Sequence, residues 1–95
     1  MANKKVDTNT FVAPTKSIQV RIVDYPHGLR VFDNVRMARI VSEKYNLLIM
    51  ADHVPVLGEI NGNIEIVTEK GIDTIDKIRA FYMHRANVLS LLLKD

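Results

Sequence analysis

The chain contains no cysteine among its 95 residues. Disulfide frameworks, thiolate zinc sites and cysteine nucleophiles are therefore excluded. Long apolar runs are also missing, because the longest, Leu47–Ala51, falls far short of the ~18 residues that a membrane-spanning helix needs. The N-terminus has no apolar stretch of the kind found in secretory signals. We therefore expect a cytoplasmic protein that does not insert directly into a membrane.

Surplus charge is scarce outside the N-terminal segment. The formal net charge is +2, and residues 1–16 account for all of it through Lys4, Lys5 and Lys16 against Asp7. The remaining residues carry equal numbers of basic and acidic side chains. A nucleic-acid-binding domain usually has a basic face that neutralises several phosphates. The balanced body therefore predicts that nucleic acid is not a partner.

The chain is long enough for one domain with one small core. Its mass is 10.8 kDa, and 47% of its residues are hydrophobic, which is ordinary for a globular domain. Residues 1–16 are polar and show no periodicity. We therefore predict a flexible, disordered extension over 1–16, followed by a folded domain over 17–95.

Short alternating segments and frequent turn signals dominate residues 17–70. Ser17–Asp24 alternates apolar and polar residues, as a half-buried strand does. The step from Arg39 to Ile40 breaks the alternation of its segment and indicates a bulge. Asn61-Gly62 is the strongest short hairpin signal, since both residues tolerate positive φ. The pattern predicts an all-β fold, a two-layer β-sandwich of about 8–10 short strands.

The last segment, residues 72–95, fits two different structures. Apolar residues recur there with a spacing of three to four, which allows a helix of about 20 residues. The rival interpretation is two strands, Ile75–Met83 and Val88–Leu93. Periodicity slightly favours the helix, but a helix would leave a sheet face or edge open, so completion of the sandwich favours the strands. The sequence leaves both open, and the all-β architecture depends on the second.

No combination of residues indicates catalysis. The three histidines, His27, His53 and His84, lack metal-ligand spacing, and no serine lies in a Gly-x-Ser-x-Gly elbow. We therefore predict no enzyme activity, no catalytic residue, no metal and no cofactor. A binding or structural module is the positive interpretation. One alternative remains, a small-ligand or catalytic β domain that uses the adjacent Asp52 and His53.

Residues 47–66 resemble a known family. His53-Val54-Pro55-Val56-Leu57 matches the H-A-P-L-L step of the N-terminal domain of the ε subunit of F-type ATP synthases, which is the δ subunit in mitochondria. Gly62 stands at that pattern's later glycine, and Ile18–Val23 is similar to the opening strand. The resemblance covers about residues 17–95. Lys44–Leu47 lacks the glycines that the family has before the histidine, so the chain resembles a diverged member.

The resemblance implies a non-catalytic central-stalk, or rotor, subunit of an F1-type or F1-like rotary ATPase. Such a subunit binds the γ subunit, with the α/β hexamer and the c-ring as further contacts, helps to transmit torque, and is peripheral to the membrane through the complex. That family usually adds a C-terminal helical hairpin after the sandwich, whereas this chain stops at Asp95. If residues 72–95 are strands, we expect the hairpin and its regulatory roles to be missing. The alternative is an unrelated β-rich interaction module that self-associates.

Polar loop tips on a rigid sandwich are favoured binding positions. The predicted contact residues are Glu43, Lys44, Tyr45, Asn46, Asp52, His53 and Pro55.

Overall fold

Seven β-strands and no helix make up residues 16–94, the part of the chain that the computed structural model describes. The strands are β1 (Ile18–Asp24), β2 (Gly28–Val35), β3 (Met37–Ser42), β4 (Asn46–Ile49), β5 (Val56–Thr68), β6 (Gly71–Arg85) and β7 (Val88–Leu93). The predicted all-β fold is confirmed. The predicted flexible extension over residues 1–16 lies outside the described residues, except for Lys16.

The strands form one hydrogen-bonded sheet in the order β2-β1-β7-β6-β5-β3-β4. Every neighbouring pair is antiparallel except β1 and β7, which run parallel, with Val20 beside Leu89 and Ile22 beside Leu91. The first and last strands therefore lie side by side within the sheet.

The sheet folds over so that its two ends enclose one core. All seven strands contribute side chains to a single buried cluster. In addition, β2 and β5 contact each other although three other strands separate them in the sheet order. The core consists mainly of isoleucine, leucine and valine, and burying each such side chain stabilises the fold by roughly 1.5–3 kcal/mol. The two-layer arrangement thus comes from one curved sheet.

Residues 16–94 contain seven strands, against the predicted 8–10, and β5 and β6 are long. The Asn61-Gly62 hairpin prediction is wrong, since both residues lie inside β5 and pair with Arg79 and Ile78 of β6. Gly62 serves a different purpose there. A Cβ at this position would lie 2.1 Å from the backbone oxygen of Val41 on β3. The residues on either side of Asn61-Gly62, which the hairpin prediction assigned to two strands, therefore belong to one continuous strand.

The C-terminal segment forms two strands, and the helix alternative is excluded. In β6 the buried side chains alternate from Ile78 to His84, and β7 inserts between β1 and β6. The connecting residues Ala86 and Asn87 have φ angles of 51° and 63°, which suit a tight two-residue hairpin. The argument from the open edge was the correct one.

The predicted bulge between Arg39 and Ile40 is also wrong. β3 alternates regularly, with Ala38 and Ile40 fully buried, and its register with β5 is unbroken. A register shift occurs instead between β5 and β6, beside Lys77, which has a φ of 56°. The extra residue there increases the local twist of two long strands.

Candidate partner-binding site

The first predicted loop, Glu43–Asn46, covers an open edge of β5. The strand β3 pairs with β5 only from Gly62 onwards, so residues 56–61 of β5 have β6 on one side alone. The loop reaches this edge through Glu43, whose amide donates to the carbonyl of Asn61 at 3.0 Å. The Asn61 amide in turn donates to the Ser42 hydroxyl at 3.0 Å. Polar contacts thus take the place of a neighbouring strand.

Tyr45 fastens this loop to the interior. Its hydroxyl donates to the carbonyl of Glu59, and it lies 2.9 Å from the hydroxyl of Tyr82. Because the Tyr45 proton is used, Tyr82 donates to the Tyr45 oxygen. Burial, followed by this hydrogen bond, raises the pKa of Tyr82 above its ordinary value. Tyr82 is 5% exposed and therefore remains a neutral donor over the physiological pH range.

The second predicted loop, Asp52–Pro55, is fastened at its first residue. Asp52 has a φ of 66°, and its amide donates to the Asn87 side chain at 2.7 Å. Its carboxylate pairs with Lys16 at 2.7 Å. Hydrogen bonds from Lys16 and then Asn87 lower the pKa of Asp52 below its ordinary value. The loop is therefore tied to the hairpin that joins β6 and β7.

Two histidine rings meet beneath this loop. The rings of His53 and His84 pack edge to face with their centroids 5.7 Å apart. His84 is fully buried, and neither of its ring nitrogens has a hydrogen-bond partner. Burial, and then the nearby His53, lower the pKa of His84, and the Val54 carbonyl opposes them. The buried ring is therefore neutral at pH 7.

The two loops converge on one strand. Tyr82 contacts the first loop and His84 the second, and these anchors are two residues apart on the inner face of β6. Successive inward positions of a strand are about 7 Å apart. The structure therefore brings the predicted residues into one region. Tyr45, Asp52 and His53 hold the loops, although Tyr45 and Asp52 are also partly exposed. The exposed side chains without such an anchoring contact are those of Glu43, Lys44, Asn46 and Pro55.

A groove of about 550 Å³ runs between the first loop and the start of β5. Its charged residues include Lys44 and Arg79, together with the ion pair of Lys94 and Glu59. The Lys94 ammonium also lies 4.3 Å from the centre of the Phe81 ring, a cation–π contact. The hydrogen bond from Lys94 lowers the pKa of Glu59. This groove continues onto the outer surface of the sheet.

That outer surface carries apolar side chains that the sequence analysis missed. One row crosses four adjacent strands in register, from Leu29 through Val23 and Leu92 to Phe81. Each of these side chains is between 42% and 54% exposed. A contiguous exposed apolar patch often marks an interaction site. The sequence signal that could have revealed this surface is the presence of apolar residues at outward positions, where strands that alternate apolar and polar residues should carry polar ones.

The ligand or catalytic alternative assigns its chemistry to Asp52 and His53, which in the structure hold the second loop. No group of three or more His, Cys, Asp or Glu in residues 16–94 could hold a metal ion. The other histidine–carboxylate pair, His27 and Asp24, closes a turn, with the His27 Nδ1 atom 2.8 Å from the carboxylate and the His27 amide 3.1 Å from it. The His27 hydrogen bond lowers the pKa of Asp24.

None of the described segments is a helix that could cross a membrane.

Comparison with known proteins finds similarity at the level of structure. No family model matches the chain, and no curated protein is significantly similar in sequence. Among solved structures, a chain of the Tetrahymena thermophila mitochondrial ATP synthase central stalk/c-ring has a similar fold, with a TM-score of 0.63. The two chains share one fold. The similarity covers 87% of this chain and 67% of that one, at 13% sequence identity.

Proposed function

We propose that the protein is a non-catalytic central-stalk subunit of an F1-type or F1-like rotary ATPase. In this role it binds the γ subunit and helps to transmit torque or to couple the motor to the c-ring. The observation that carries the proposal is the fold shared with a central stalk/c-ring chain over 87% of this chain. The independent resemblance around His53 and Pro55 supports the same family.

The loop geometry suggests how such a subunit grips its partner. A torque-bearing contact must not yield, and both loops are fixed at their bases by buried anchors on β6. The loop tips expose side chains that can contact a partner. These are the charged Glu43 and Lys44 on the first loop and Pro55 on the second. We propose that these tips contact γ or the c-ring, and that Tyr45, Asp52 and His53 set their positions.

Co-expression with the γ subunit encoded by the same genome tests this function. A tag on γ should retain this protein through affinity and size-exclusion steps in a one-to-one complex. The variant Lys44→Glu should bind at least about tenfold more weakly, since a rim charge is reversed. Lys70→Glu is the matched control, because Lys70 is likewise an exposed lysine and lies at the turn between β5 and β6.

The outcomes separate the parts of the proposal. Failure of the wild-type protein to bind γ would remove the stalk function. Binding that is unaffected by Lys44→Glu would keep the function and reject the assigned loop.

The alternative function, a self-associating β module, is favoured by the edge strand β2. One side of β2 pairs with β1 and the other has no strand partner within residues 16–94, and its Leu29 and Val31 are about half exposed. Open apolar edges promote pairing between chains. Light scattering on the purified protein distinguishes the two functions, because this alternative predicts a stable oligomer in the absence of γ.

A further inference from the structure

We infer that the outer face of the sheet is a docking surface for an amphipathic helix with an apolar stripe and carboxylates along its margins, presented by a partner protein. This outer face is defined by exposed apolar side chains on β1, β2, β5, β6 and β7. They are Val23, Leu29, Val31, Leu57, Phe81, Met83 and Leu92. The inference does not depend on the proposed function, since it concerns the chemistry of a surface and not the assembly that supplies its partner.

Strand register makes these side chains one patch. The first row is the one described above, from Leu29 to Phe81. In the second row Val31 lies opposite Arg21, and Met83 lies between Ser90 and Leu57. Leu57 is the most exposed of the set at 73%. Because both rows occupy outward positions two residues apart on each strand, they lie about 7 Å from each other.

The size of the patch fits a short helix. Adjacent strands are about 4.8 Å apart, so a row across four strands spans about 14 Å and one across five spans about 19 Å. A helix rises 1.5 Å per residue, so roughly 10–13 residues cover this length. Such a helix presents an apolar stripe at every third or fourth residue.

The occupant does not add a strand. On this face β1, β7 and β6 each have hydrogen-bonded neighbours on both sides, so their backbone groups are already paired. Contact must therefore come from side chains. A helix satisfies its own backbone and supplies side chains alone, which is how helices and sheets pack in layered folds.

Charge selects the partner's chemistry. Three arginines share the outer face: Arg21 lies in the second row, Arg79 precedes Phe81 by two residues, and Arg85 follows Met83 by two. None of the three forms an ion pair within residues 16–94. The carboxylate of Glu59 on the same face is already paired with Lys94. Asp33 on β2 is a further exposed carboxylate of this face, and it accepts a hydrogen bond from the Gln19 side chain at 2.8 Å. The three arginines outnumber it, so the net charge beside the apolar rows is positive.

This positive rim disfavours a second copy of the chain. Two outer faces packed against each other would bring arginines near arginines, and like charges across an interface oppose association. Carboxylates at the margin of an apolar helix instead pair with guanidinium groups, which hold them with two parallel hydrogen bonds. The complementary partner is therefore acidic and heterologous.

Designed helical peptides test the inference on the purified full-length chain. One fluorescent probe carries a leucine stripe flanked by glutamates, and its counterpart carries lysines in place of the glutamates. The glutamate peptide should bind at least about tenfold more tightly, measured by fluorescence anisotropy, and its affinity should fall as salt screens the charges. Equal binding of the two peptides would overturn the charge argument.

Variants locate the binding site. Leu92→Asn and Arg21→Glu should each weaken the binding of the glutamate peptide by about tenfold or more. The matched control is Ile72→Asn, since Ile72 is 63% exposed but lies at the far end of β6, beside Val67. Binding that falls in the Ile72 variant but not in the other two would place the site elsewhere and overturn the inference.

Self-association is the remaining outcome. If light scattering shows a dimer that Leu92→Asn dissociates, a second copy occupies the face and the heterologous inference is wrong. The result is independent of the γ experiment, because the glutamate peptide would bind this face even if γ did not bind the chain.

Discussion

Replacing Gly62 by alanine tests the close approach of β3 and β5. The added Cβ would lie 2.1 Å from the backbone oxygen of Val41, whereas carbon and oxygen in close contact are about 3.3 Å apart. The obstacle is backbone on β3, so a change of rotamer cannot relieve it. The two strands must separate locally by about 1 Å.

The cost follows from the bonds beside this contact. The amide of Glu43 donates to Asn61 at 3.0 Å, and the amide of Asn61 donates to Ser42 at 3.0 Å. A displacement of about 1 Å takes both beyond hydrogen-bonding distance. With about 1 kcal/mol for each bond, and a similar amount for the disturbed ladder, the free energy of unfolding should fall by about 2–3 kcal/mol. That is a large share of the ~5–15 kcal/mol typical of a domain.

Urea unfolding followed by far-ultraviolet circular dichroism measures this loss. The control is Gly28→Ala, where φ is +74° and no heavy atom lies within 4 Å of the added Cβ, so that only backbone strain of about 1 kcal/mol is expected. If Gly62→Ala destabilises the protein no more than Gly28→Ala, the close approach of β3 and β5 is not what requires glycine. The discarded hairpin interpretation would then regain support.

Three further substitutions probe the anchors of the loops. His84→Leu should raise the free energy of unfolding by about 1–2 kcal/mol at pH 7.5, because it removes unpaired buried nitrogens. The pKa of His84 is lowered in the folded state, so the wild type should lose stability as pH falls below about 6.5. Over the same pH range the urea midpoint of His84→Leu should fall less. Parallel pH profiles of the two proteins would contradict this. Tyr45→Phe should lower the free energy of unfolding by about 1–2 kcal/mol, because it leaves the Tyr82 hydroxyl unpaired. In urea titrations the double variant Tyr45→Phe/Tyr82→Phe should lose less than the sum of the two single losses. Strict additivity would argue against the pairing. Asn87→Gly keeps the positive φ but removes the acceptor of the Asp52 amide, so hydrogen exchange at that amide should accelerate about tenfold, and unchanged protection would show that the bond does not hold the loop.

Local pattern was enough to predict strands but not to delimit them. Alternation in Ser17–Asp24 reports a half-buried strand directly, because one face meets the core. The dipeptide Asn61-Gly62 was misleading because glycine has two uses. It permits positive φ in a turn, and it also permits close approach of backbone, which depends on Val41 of a different strand. A sequence without its contacts cannot separate these uses.

The last two strands show the value of an argument about the whole sheet. Helical spacing in residues 72–93 arose by coincidence, while the need to cover an edge correctly favoured strands. For the loops, sequence predicted their positions but not their convergence. That convergence depends on Tyr82 and His84, which belong to a strand distant in sequence from both loops. The apolar outer face escaped notice for the same reason, since its rows exist only after five strands are aligned.

The parallel pairing of β1 with β7 has a consequence for biosynthesis. The first strand leaves the ribosome early, but one of its two hydrogen-bonded neighbours is the last strand, Val88–Leu93. Until those residues have been translated and have left the exit tunnel, β1 and β6 each present an unsatisfied edge. Such long-range pairing slows folding and leaves nascent chains prone to aggregation. We therefore expect the domain to acquire its native structure only once Val88–Leu93 has left the exit tunnel, and chaperones can shield those edges until then.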